Sequence, residues 1–276
     1  MRDVMEVDTA LVDRARGGDR DALGQLVAAT KDMVFNLAIR MLGSPSDAED
    51  ATQEILIRII THLGSFRGES AFRTWAYRVA SNHLLTTRKR GAELRADSLD
   101  ALGERLADNL AAGDPAVDDQ LIVHEAKLIC TSTMLACLDR DHRLAYILGE
   151  IFELAGDEGA AILDIAPDAF RKRLSRARAR MDEFMAKQCG LVNPASTCRC
   201  AKQAGHAVKA GYLDAKELAW GALGCRTERR PERVTDLDTV GNAIAVFRSH
   251  PDFIAPERLV AGVKRALDGG ASDLLH

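Results

Sequence analysis

The sequence predicts an all-α protein: two small helical domains joined by an acidic linker and followed by a mainly helical C-terminal extension. Three observations carry that expectation. The 276 residues include seven prolines and only 5% aromatics, and with many Ala, Leu and Arg this favours helices over sandwiches or barrels. Apolar residues recur at helical spacing from Leu11 to Arg90 and again from Leu121 to Lys187. The chain is too long for one compact helical unit, and its 47% apolar content is enough for several packed cores.

In the first domain, residues 1–92, breaks at Gly17-Gly18-Asp19, Gly43-Ser44-Pro45 and Gly64 to Gly68 divide the pattern into four helices. The third opens with Ser46, three residues before Glu49 as in a capping box, and Ile55, Leu56, Ile59, Ile60 and Leu63 form its apolar stripe. Its polar face carries Asp47, Asp50 and Glu54. The fourth, Ser70 to Arg90, is expected to bury Phe72, Trp75, Ala76, Val79 and Ala80 and to end in Arg88-Lys89-Arg90. Residues 93–120 form the linker. From Glu93 to Glu125 nine acids face only Arg95 and Arg105, which reads as a tether with a short helix around Leu99 to Leu110. Residues 121–188 make the second domain. Beyond Cys189 the extension, residues 189–276, is punctuated by Cys and Gly. It then offers two amphipathic helices, one through Val240, Ala243, Ile244 and Phe247, the other through Leu259, Val260, Val263 and Leu267.

The second domain contains a DNA-reading pattern. A short apolar-faced helix (Ala160, Ala161, Ile162, Leu163) is followed by the turn Asp164-Ile165-Ala166 and a helix opened by Pro167, a residue suited to the first helical position. That spacing is a helix-turn-helix, whose second helix can enter the major groove. Phe170, Leu174 and Ala177 would face the core of that helix, while Arg171, Lys172, Arg173, Arg176, Arg178 and Arg180 crowd the remainder, a local field that phosphates would neutralise. The net charge of −4 and pI near 6.0 mean that any DNA-binding surface is local.

At these residues the chain resembles a known family. Asp164 to Arg178, DIAPDAFRKRLSRAR, looks like the recognition-helix segment of extracytoplasmic-function (ECF) sigma factors, in their domain four. Independently, Asp47 to Leu63, DAEDATQEILIRIITHL, followed by Phe66 to Asn82, FRGESAFRTWAYRVASN, resembles the polymerase-binding and promoter-melting helices of domain two. Together with flanking helices the resemblance spans Leu11 to Lys187, in family order.

The resemblance implies a sigma factor that carries core RNA polymerase to promoter DNA. Asp47, Asp50, Gln53 and Glu54 would dock on the clamp helices of the largest subunit, and the flap of the second-largest subunit is a further contact. For the −10 element, Arg67, Arg73, Arg78 and Arg88 would hold phosphates, Ser70 and Asn82 would bond base edges, and Gly68 would let the loop approach an unstacked base. Trp75 lies on the apolar stripe and reads as core. For the −35 element, Arg171, Lys172, Arg173, Arg176 and Arg178 are the candidates. An anti-sigma factor is a further candidate partner.

No P-loop, GxSxG, HExxH or Gly-rich dinucleotide turn occurs, so no enzyme is indicated and no cofactor is required. The competing reading is a stand-alone helix-turn-helix regulator with a sensing C-terminal region. No run of about 18 apolar residues is present, and Met1 to Thr9 lacks a signal-peptide core, which points to a cytoplasmic protein with no membrane contact. The six cysteines do not suggest a disulfide framework in that compartment. Cys189, Cys198 and Cys200, in CGLVNPASTCRC, are candidate ligands for Zn²⁺ or another thiophilic metal, with His206 and Cys225 further on. A redox switch and unligated thiols stay open, while Cys130 and Cys137 read as core. The extension as a whole is expected to regulate the factor in cis.

Overall fold

A computed structural model describes residues 7–89, 91–225 and 242–268. Its architecture is all-α, with no strand among the described residues. The four expected helices of the first domain are α1 (Thr9–Arg16), α2 (Arg20–Leu42), α3 (Pro45–Thr61) and α4 (Phe72–Thr86). Asp19 caps α2 by accepting the amides of Asp21 and Ala22 at 3.0 Å each, and Gly43 ends it in a left-handed turn that favours glycine, at φ +66°. Ser44, not Ser46, caps α3: Pro45 already occupies the first helical position, and the Ser44 hydroxyl accepts the amide of Asp47. The fourth helix is shorter than its periodicity suggests. It stops at Thr86 because Thr87 is extended, so Arg88 lies beyond the helix; Arg90 falls outside the described residues, as does Val240.

Helix α2 is the axis of the molecule. Val34, Phe35, Leu37, Ala38 and Ile39 are all buried, and the helix packs against α1, α3 and α4 of its own domain and also against α7 (Gln120–Ala136) and α8 (Arg140–Tyr146) of the second. After α8 a π turn, Ile147–Ile151, leads to α9 (Gly156–Leu163) and α10 (Pro167–Gln188). The extension adds α11 (Cys200–Lys209), α12 (Ala243–Arg248) and α13 (Glu257–Asp268).

The acidic stretch is packed and does not run through solvent as a tether. It forms α5 (Gly91–Arg95) and α6 (Leu99–Ala111), burying Leu99, Leu102 and Leu106. Three of its nine acids have internal partners, while the other six are exposed. Asp114 binds His206 at 2.8 Å and also Lys209; Glu125, at the start of α7, accepts the amides of Trp220 and Gly221 at 2.9 and 2.8 Å. The Glu93 side chain is 1% exposed and meets Arg140 at 2.6 Å and Arg143 at 2.7 Å. Arg143 also donates to the carbonyls of Met41, Ala136 and Leu138, and Arg140 to those of Leu85 and Thr87. One carboxylate therefore ties the first domain, the linker and the second domain together.

Burial alone would raise the Glu93 carboxyl, but the two guanidiniums outweigh it and hold it below the usual carboxylate range. Removing one partner of such a cluster strands buried charge, so Glu93→Gln should lower stability by about 3–5 kcal/mol at pH 7. Because the folded-state pKa is depressed, the wild-type advantage should be full above roughly pH 5 and shrink as pH falls through the depressed value. Urea unfolding of both chains across pH checks both points.

Candidate polymerase and promoter interfaces

On α3, Asp50 and Glu54 are exposed one turn apart, so two carboxylates stand on one face. Glu54 lies 3.4 Å from His83 of α4. Asp47 and Gln53 are half-buried, Asp47 beside the helix cap and Gln53 beneath Gly262 of α13. Thus the structure leaves two of the four polymerase-binding candidates open and covers Gln53 with the chain's own C-terminal helix.

Between α3 and α4, Phe66, Phe72 and Trp75 pack ring to ring with centroids 5.6 Å apart, anchoring the loop that carries Arg67 and Ser70. Trp75 is half-buried in this cluster. Arg67 and Ser70 are exposed, and Gly68 has φ +74°, a conformation glycine adopts without strain. Asn82 and Arg88 are also exposed. Arg73 and Arg78 are not displayed in the same way. Arg73 is half-buried over the Tyr77 ring, 5.5 Å from its centroid. Arg78 donates from Nε and a terminal nitrogen to the carbonyl of Ala161 at 3.1 and 2.8 Å, so it is held by α9 of the second domain.

The helix-turn-helix is present as α9, a turn with Asp164 at φ +53°, and α10 opened by Pro167. Phe170 and Ala177 are fully buried and Leu174 partly so. The two helices approach so closely that a Cβ on Gly159 would sit 2.3 Å from the Phe170 ring. Of the basic candidates, Arg171, Lys172, Arg176 and Arg178 are exposed and Arg173 is half-buried. Arg171 pairs with Asp168, Arg173 with Asp141 at 2.8 Å, and Arg178 with Glu150 through Nε at 2.7 Å.

Residues 26–93 match the family model Sigma-70 region 2. The ECF RNA polymerase sigma-E factor of Escherichia coli (strain K12) is 32% identical over 179 residues, covering 63% of this chain and 92% of that protein. The chain belongs to the ECF sigma factor family. The RNA polymerase sigma-H factor of Pseudomonas aeruginosa is 29% identical over 184 residues, covering 65% of this chain and 94% of that protein. Among solved structures, CnrH in complex with the cytosolic domain of CnrY shares 25% identity at a TM-score of 0.43, with 62% of this chain and 92% of that one covered. This sigma factor directs RNA polymerase in transcription initiation and is not an enzyme. No described helix is long and apolar enough to cross a membrane.

The sigma factor's cysteines converge differently from the sequence-based expectation. Cys189, Cys198 and Cys200 line one cavity of about 30 Å³, and Cys130, expected to be core, lines it too; Cys137 is buried elsewhere. Cys130 was missed because only its place on an apolar helix face was legible, not the later chain segment that closes over it. His206 is diverted to Asp114, and Cys225 forms a backbone bridge to Phe253. Burial pushes the thiols of Cys130 and Cys198 up and that of Cys200 to about 11, so they are protonated at neutral pH. Among the described residues, no three His, Cys, Asp or Glu side chains are arranged to hold an ion.

Packing at Gly159 gives a test of α10 as a candidate reader of the −35 element. Gly159→Leu should drive the Phe170 ring from its site, costing about 1–3 kcal/mol or more of overpacking. It should also misplace α10, abolishing protection of the −35 region in footprints of the polymerase complex while protein yield and helix content stay near wild type.

Proposed function

We propose that α3 is the polymerase-docking helix, that α4 and the loop before it engage the −10 element, and that α10 reads the −35 element. The observation carrying this reading is the exposed Asp50 and Glu54 pair, one helical turn apart, in a family whose function requires a polymerase. With Asp47 and Gln53 it would seat against the basic clamp helices of the largest subunit, and the second domain would meet the flap of the second-largest subunit. Arg67, Ser70, Asn82 and Arg88 are displayed for single-stranded −10 DNA, whereas Arg73 and Arg78 would first have to leave their internal partners. Arg171, Lys172, Arg173, Arg176 and Arg178 would divide phosphate and base contacts at −35. Such a protein works in the cytoplasm, and a separate anti-sigma factor is a candidate rival for α3.

Run-off transcription with core polymerase on a genomic promoter library tests the assignment. Asp50→Arg should abolish promoter-specific initiation. Arg176→Ala should lower it about tenfold on promoters with a −35 element, one contact's worth of discrimination. Unchanged initiation by Asp50→Arg would remove α3 from the interface.

For the extension, four cysteines around one cavity favour a thiophilic metal such as Zn²⁺ on Cys189, Cys198 and Cys200, now with Cys130. Because no three of these side chains are arranged to hold an ion as they stand, binding would require the thiols to converge; it would also deprotonate them, the cation's charge offsetting the burial that disfavours thiolates. Protein purified without chelator should carry one equivalent of metal, and Cys198→Ser/Cys200→Ser should lose it. Metal-free wild type that takes up no added Zn²⁺ would rule the site out.

A further inference from the structure

Helix α2 carries a polar stripe that the core does not explain. Asp32, Asn36 and Arg40 recur every fourth residue beside the buried Lys31, on a helix otherwise occupied with packing. A non-helical strap from the extension, residues 251–256, lies along this stripe and uses every second backbone position. Arg40 donates to the carbonyl of Pro251 at 3.3 Å. Asn36 both donates to the carbonyl and accepts from the amide of Phe253, at 2.7 and 3.0 Å. Asp32 accepts the amide of Ala255 at 3.0 Å, and Lys31 reaches the Ala255 carbonyl at 3.5 Å and the Glu257 carboxylate.

The register has a geometric basis. Four residues of helix rise about 6.0 Å, and two residues of extended chain advance about 6.6 Å, so side chains at 40, 36 and 32 meet backbone groups at 251, 253 and 255 in turn. The strap delivers α13 onto α3. There Leu259 and Val263 are buried, Arg258 forks onto Glu49 through Nε at 2.9 Å, and a Cβ on Gly262 would lie 3.1 Å from the Gln53 side chain. Glu49 and Gln53 form the stripe next to Asp50 and Glu54. A second helix about 10 Å across cannot seat on that face while α13 holds its edge.

We infer that residues 251–268 are an anti-sigma segment built into the chain: strap and α13 occupy the polymerase-docking face, and core polymerase must displace them to bind. The inference rests on the reading of α3 as the docking helix. Binding is then a competition, and the apparent affinity for core is the intrinsic affinity reduced by the fraction of molecules in which α13 is released.

Amide hydrogen exchange of the full-length wild-type chain, free and bound to purified core polymerase, tests this directly. The free chain should protect the amides of Phe253, Ala255 and α13. On binding, residues 253–268 should lose that protection while α3 gains it. Protection of α13 kept in the complex would overturn the inference. Failure of core to protect α3 would instead overturn the docking assignment, so the two failures are distinguishable. Arg258→Glu, an exposed change that sets like charge against Glu49, should speed exchange in α13 and tighten binding to core about tenfold. Faster exchange with unchanged or weaker binding would sink the competition, and Asp50→Arg placed in that background should still abolish binding.

Discussion

The buried cluster of Glu93 with Arg140 and Arg143 is the interaction on which the rest of the arrangement depends. Two guanidiniums and one carboxylate are removed from water here, a cost that is met only because nearly every donor finds an acceptor: both carboxylate oxygens and the carbonyls of Met41, Leu85, Thr87, Ala136 and Leu138. Those acceptors come from α2, α4 and the end of α7. A cluster of this kind contributes little net stability compared with an apolar core, but it fixes one geometry, because any other relation between the domains leaves charge buried without a partner. With α2 held against α8, the helix-turn-helix is brought onto α4, which is how Arg78 comes within reach of the Ala161 carbonyl.

The same geometry explains why the extension reaches the first domain although the second lies between them in sequence. Arg248 at the end of α12 donates to the Glu150 carbonyl at 2.7 Å, and His250 lies 3.0 Å from the Thr131 hydroxyl of α7, so the chain is anchored on the second domain just before the strap begins. From there it crosses directly to Arg40. Anchoring shortens the effective loop that must close for α13 to find α3, and a tethered helix competes at a high effective concentration even when its own contacts are few.

Much of the first domain and the helix-turn-helix was legible because local signals and tertiary structure agree there. Glycine breaks marked the helices, Pro167 opened α10, and the i, i+4 carboxylates of α3 were placed by helix geometry alone. Legibility fails wherever a partner is remote. Composition reads the acids from Glu93 to Glu125 as a tether, yet Glu93, Asp114 and Glu125 are internal anchors whose partners lie 47 to 96 residues away. The cap of α3 was misplaced for a smaller reason: two serines flank Pro45, and only the proline's preference for the first helical position separates them. Asp32, Asn36 and Arg40 were passed over because a polar stripe on a helix ordinarily faces water, and the strap that buries it is more than two hundred residues later.

A sigma factor has to present two DNA-reading surfaces at once, and elements named for positions −10 and −35 are separated by about 85 Å along B-DNA at 3.4 Å per base pair. In the closed chain α9 packs directly on α4, so the two proposed readers lie against each other and Arg78 is bonded to the neighbouring domain. The closed form therefore cannot engage both elements, and opening must break the α4–α9 contact and the Glu93 cluster as well as lift α13. Because α2 contributes both the polar stripe under the strap and the Met41 carbonyl of the Glu93 cluster, the two sets of contacts share a support. Under the docking proposal, core polymerase arriving at α3 would have to displace α13 and also open the contacts between the two domains before both promoter elements could be reached.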